Sequence, residues 1–164
     1  MPTLETAPTQ TVPDFMLTQT RIIRASRARV YEAWTNPEIL KEWFGPAGRH
    51  CPDATMDVRV GGSYRIEVMP DVPPPSASGT PCEQGRSAAV GSFTKVVPNE
   101  LLQFTWSPDW NLGEKSVVTV SLKDVEGGTA VTILHEGFLS EASRDAHGQG
   151  WAGCLDKLTA KLQN

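Results

Sequence analysis

A change of period near residue 139 divides this sequence into two regimes. Before it, apolar side chains fall on every second position. Met56, Val58 and Val60 alternate with polar neighbours, then Tyr64, Ile66 and Val68, and later Leu102, Phe104 and Trp106. That period marks half-buried strands. After it, Trp151, Leu155, Leu158 and Leu162 follow at i, i+4, i+7 and i+11, one stripe of a helix. A run of strands closed by one long helix is an α+β arrangement, and the helix is the only element apolar enough to cover the sheet.

The strand segments are ATMDVRV (54–60), SYRIEVM (63–69), SAAVGSFTKVV (87–97), ELLQFTWS (100–107), KSVVTVSLKD (115–124) and TAVTILHEGF (129–138). Gly61-Gly62 between the first two predicts a tight hairpin. Residues 70–86 hold prolines, glycines and serines, which bar a central strand, and predict a long exposed loop. Ser140 is the expected cap of the final helix, while Gly148 and Gly150 predict a bend or a late start, since each costs up to ~1 kcal/mol relative to Ala.

Upstream, residues 1–15 are rich in Thr and Pro and are expected to form a flexible tail, leaving 16–164 as one domain. LTQTRIIR (17–24) predicts the first strand. Ser26 caps a short helix with Val30, Ala33 and Trp34 on one face. Asn36-Pro37 ends it and opens a second, carrying Leu40, Trp43 and Phe44. The expected architecture is a curved antiparallel sheet of about seven strands gripping a C-terminal helix, with two short helices after the first strand. A twisted sheet wrapped round one helix leaves space at its open end, and Trp34, Trp43 and Phe44 are expected to face it.

Charge and cysteines narrow the functional classes. A net charge of −4 with no cluster of Lys and Arg disfavours nucleic acid and acidic membrane surfaces. Cys51, Cys82 and Cys154 are distant and odd in number, so neither a disulfide framework nor a zinc site is expected. No apolar run approaches the ~20 residues that span a bilayer, and the first residues lack the pattern of a secretory signal. A cytoplasmic location is the expectation. No cofactor is expected, and His50-Cys51 is too small a pair to hold a metal.

The candidate ligand-binding residues are Trp34, Trp43, Phe44, Met56, Tyr64, Ile66, Phe93, Phe104, Trp106, His135, Trp151 and Leu155. Each aromatic alone suits a plain core. As a set at the open end of a grip they suit an apolar cavity. His135 shares a face with Val131 and Ile133. It could orient a ligand carbonyl or act as a general base, although the commoner role is a bond to a neighbouring strand or helix. His147 stands alone near the helix glycines. No Ser-His-Asp order, phosphate-binding glycine loop or carboxylate pair is evident.

The spacing W-x-x-P-x-x-L-x-x-W-F from Trp34 to Phe44 is followed by Gly61-Gly62 before Tyr64, Gly91, PNELLQFTW (98–106), GGTAVTILHEGF (127–138) and Gly150-Trp151. In this order these segments resemble the group named after the activator of the heat-shock protein 90 ATPase, within the helix-grip (Bet v 1-like, START or SRPBCC) superfamily. The resemblance spans about residues 17–162. It implies a fold round a hydrophobic cavity, as in relatives that bind lipids, sterols, polyketides or other apolar molecules, some of which they cyclise or hydrate. The eukaryotic namesake stimulates a chaperone through a chain with an additional domain, which is not expected within these 164 residues.

The leading expectation is therefore a binding protein for a small hydrophobic molecule. The alternatives are an enzyme with His135 as acid–base group and a chaperone-interaction domain, the latter disfavoured because the outer strand positions are polar. An edge strand could pair two copies into a homodimer.

Overall fold

The computed structural model describes residues 15–72, 85–109 and 113–163. β1 (Phe15–Ile23) leads into α1 (Arg27–Thr35) and α2 (Pro37–Trp43). Then come β2 (Arg49–His50), β3 (Ala54–Met56), β4 (Ser63–Pro70), β5 (Ser87–Val97), β6 (Leu101–Pro108), β7 (Ser116–Val125), β8 (Gly128–Phe138) and α3 (Glu141–Leu162). The strands pair antiparallel in the order β1-β8-β7-β6-β5-β4-β2, with β3 also on β4. The sheet curls round α3, which makes this a helix-grip fold.

Alternation in sequence becomes alternation in burial. Leu102, Phe104 and Trp106 of β6, Val118, Val120 and Leu122 of β7, and Val131, Ile133 and His135 of β8 all face inward. Register sets Phe104 beside Val118 and Val118 beside His135. Onto this face α3 lays Trp151, Leu155, Leu158 and Leu162. Leu155 and Leu158 are wholly buried, which contributes about 1.5–3 kcal/mol each. The expected caps are present. Ser26 Oγ accepts from Arg29 N at 3.2 Å, Asn36 Oδ1 from Glu38 N at 3.0 Å and Ser140 Oγ from Ser143 N at 3.0 Å.

Three expectations are corrected. The strand expected over 54–60 stops at Met56, and residues 57–62 form a wider turn than a Gly-Gly hairpin. Asp57 N donates to Ser63 O at 2.9 Å and Gly62 N to Arg59 O at 2.8 Å. The chain passes so close at Gly62 that a Cβ there would lie 2.0 Å from Asp57 O. Val60, which alternation placed on the inner face, is 66% exposed. Second, the two-residue β2 was not anticipated. Third, α3 runs unbroken from Glu141 through Gly148 and Gly150. Its start is held by the buried Glu114, whose carboxylate accepts from Leu139 N at 3.0 Å and Ser143 Oγ at 2.6 Å. Gln19 Nε2 donates to Gly148 O at 2.6 Å. β1 begins at Phe15; the rest of the predicted tail, Cys82 and positions 73–84 of the predicted loop lie outside the described residues.

Candidate functional site

Between α3 and the sheet lies a cavity of about 380 Å³. One wall is the helix face Ala146, His147, Gly150, Trp151 and Cys154. A second is the stretch that follows α2, with Phe44, Pro46 and Arg49. The floor is Val68, Ser87 and Trp106 from β4, β5 and β6. Room exists because Ala146, Gly150 and Cys154 recur at i, i+4 and i+8, a stripe of small side chains beside the leucine stripe. A Cβ on Gly150 would meet only Pro46 Cβ, at 3.9 Å. Three residues further, Gly153 touches the other wall, where a Cβ would lie 2.6 Å from Ala47 N. Lys157 fastens that wall to the helix, donating from Nζ to Pro46 O at 3.0 Å and Arg49 O at 2.5 Å.

Of the residues expected to bind ligand, Phe44, Trp106 and Trp151 line this cavity. Trp34, Met56, Tyr64, Ile66, Phe93 and Phe104, together with Phe44 and Trp106, surround a narrower space of about 10 Å³. Here the rings pack on one another: Tyr64–Phe93 at 5.7 Å, Tyr64–Phe104 at 5.3 Å and Phe93–Phe104 at 5.9 Å. Ten cubic ångströms is about the room of one water. The open end that the sequence placed under both short helices is thus nearly filled by its own aromatics, and the hollow lies on the other side of Phe44 and Trp106, against α3. Tyr64 does not offer its proton outward, because its hydroxyl donates to Thr105 O at 2.6 Å. Burial pushes its pKa up.

Trp43, His135 and Leu155 line neither space. Trp43 is 1% exposed and donates from Nε1 to Ala33 O at 3.0 Å. His135 faces inward, as its strand period implied, but it is sealed. Trp151 Nε1–H can only donate, and it meets His135 Nδ1 at 3.0 Å. The ring proton therefore sits on Nε2 and is donated to Ser116 Oγ at 2.7 Å. The Ser116 hydroxyl turns to Trp106 O at 3.4 Å. Phe138 covers the ring at 4.2 Å between centroids. Burial, with His147 adding a smaller push, lowers the His135 pKa to about 2. Such an imidazole holds three elements together and makes a poor general base at neutral pH.

The lining residues that sequence reasoning missed are Pro46, Arg49, Ser87, Ala146, His147, Gly150 and Cys154, while Val68 had been read only as an inward strand residue. The small-residue spacing on α3 was the available signal. His147 Nδ1 meets Ser143 O at 2.9 Å and its Nε2 accepts from Trp106 Nε1 at 3.2 Å, so this ring orients the Trp106 indole in the floor. Cys154 offers no ready nucleophile: burial pushes its thiol up to about 12, and that of the nearby Cys51 to about 11. Among the described residues no three His, Cys, Asp or Glu side chains gather to hold a metal. No described helix is long and apolar enough to cross a membrane.

The family model for "Activator of Hsp90 ATPase homolog 1-like protein" matches residues 24–163. The chain belongs to that family. Solved structures agree with the fold of this Hsp90-activator-homolog-like chain. A protein from Chromobacterium violaceum is 25% identical with a TM-score of 0.76, covering 91% of this chain and 97% of that one. An uncharacterized protein from Rhizobium leguminosarum is 27% identical with a TM-score of 0.70, covering 91% and 94%. A family member from Silicibacter pomeroyi is 22% identical with a TM-score of 0.72, covering 90% and 97%. None of the curated proteins matches the chain.

Proposed function

We propose that this family member binds a small apolar molecule between α3 and the sheet. The observation that carries the reading is the hollow of about 380 Å³, walled by Phe44, Pro46, Val68, Trp106, Trp151 and Cys154 with few polar groups among them. Its size and apolar lining suit a small-molecule site. A solid core of this size would close such a space, since interiors pack to crystal density. Catalysis through His135 would require breaking the bonds to Trp151 and Ser116 that fix its ring, so the geometry favours binding over acid–base chemistry.

The test uses the neutral aromatic probe N-phenyl-1-naphthylamine, read by its own emission and by the fluorescence of Trp106 and Trp151. The reading expects saturable binding that Gly150→Leu abolishes, because that side chain would reach across the hollow. A response that never saturates, or that Gly150→Leu leaves intact, rejects it.

A further inference from the structure

The cavity wall holds one permanent charge, and its setting points to the chemistry of the ligand. Arg49 is half-buried among apolar neighbours and donates from Nη1 to Gly85 O at 3.3 Å. A guanidinium carries five N–H donors, so most of its capacity remains. The other half-buried arginines each have a carboxylate: Arg21 has Asp156 at 3.4 Å, Arg27 has Asp124 at 3.1 Å, Arg86 has Glu67 at 2.5 Å and Arg144 has Asp145 at 3.1 Å. Among the described residues Arg49 has none, and neither Asp nor Glu lines the cavity. Lys157, bonded to the carbonyls of Pro46 and Arg49, sets a second positive charge behind the same wall. In a chain of net charge −4 this is a local reversal of sign.

A cation partly withdrawn from water, without a counter-charge, is disfavoured until an anion meets it. The other side-chain N–H groups of the lining are already directed elsewhere, the Trp106 indole to His147, the Trp151 indole to His135 and His147 Nδ1 to Ser143 O. We infer that the ligand is an amphipathic anion. Its apolar body lies between Phe44, Trp106 and Trp151, and its carboxylate, or an equivalent group, is held by Arg49. A cationic ligand is repelled by Arg49 and Lys157. A polyhydroxylated or polyphosphate ligand finds too few donors in this lining. The inference rests on the binding reading above and adds the ligand's charge.

Two probes that share one apolar body separate the claims. 8-Anilinonaphthalene-1-sulfonate carries an anionic sulfonate, and N-phenyl-1-naphthylamine lacks it. The anionic probe is expected to bind about tenfold tighter, the size of one charge-assisted bond. Arg49→Gln is expected to erase that preference, and Arg49→Lys to retain part of it. Unchanged thermal midpoints establish that the variants are folded. Equal affinity for the two probes, or a preference that survives Arg49→Gln, overturns the anionic assignment and leaves the apolar-binding reading standing. If neither probe binds, the apolar-binding reading falls and this one with it.

Discussion

Trp34 and Trp43 stand edge to face with centroids 4.9 Å apart, and both are almost wholly buried. Their N–H groups differ. Trp43 donates to Ala33 O at 3.0 Å, whereas Trp34 Nε1 is buried with no partner among the described residues. Replacing either by Phe removes similar volume, but only Trp43→Phe leaves a carbonyl unmatched. Trp43→Phe should therefore destabilise by about 1 kcal/mol more than Trp34→Phe in chemical denaturation; equal costs would contradict this account. His135 gives a pH prediction. Its folded pKa, about 2, lies far below the ordinary value near 6.5. The unfolded chain thus binds a proton that the folded chain refuses. The stability is complete above about pH 6.5 and falls by up to about 1.4 kcal/mol per pH unit below it. His135→Gln, whose amide can also accept at one atom and donate at the other, should flatten the dependence of unfolding free energy between pH 7 and 5. The inward direction of His135 was readable from the period of its strand. Its sealing was not, because Ser116 and Trp151 arrive from elements 19 and 16 residues away and only packing joins them.

At the scale of elements, α3 presents two adjacent stripes, of which only the leucines stand out as a helical period. The small stripe looked like helix weakness because glycine is costly in helices. Its meaning depends on what lies opposite, which a helical period alone does not reveal. Two substitutions separate the cases. Gly150→Ala meets nothing closer than 3.9 Å, so it should stabilise by about 0.5–1 kcal/mol through helix propensity. Gly153→Ala would press on Ala47 N at 2.6 Å and should lower the thermal midpoint despite the same propensity gain. A midpoint that moved the same way in both would refute the close approach of the two walls. The 57–62 turn was misread for a related reason. Val58 and Val60 continue the alternation, but Asp57 takes Arg59 Nε at 2.8 Å and the backbone folds back before the glycines.

For the whole molecule, the order of strand, two short helices, strands and long helix was enough to give the architecture, since only one arrangement covers the apolar sheet face. The cavity's position was less legible. Ring counting put it where aromatics are dense, and dense aromatics fill space. It lies instead where side chains are small. Occupancy should register globally. A ligand at a hundred times its dissociation constant adds about 2.7 kcal/mol to stability, which for a chain of this length raises the thermal midpoint by roughly 5–10 °C. Scanning the midpoint against concentration of 8-anilinonaphthalene-1-sulfonate checks this; no shift at saturation would mean that the probe does not select the native state.

The amine of Lys157 spans the gap between α3 and the carbonyls of Pro46 and Arg49. Phe44, Pro46 and Arg49 sit on that tethered stretch, whose far end is pinned to β4 by the pairing of Arg49 with Pro70 and His50 with Met69. The strand pairing grips one end of this wall and the ammonium the other, so shortening the side chain at position 157 should loosen the end nearer α3 first.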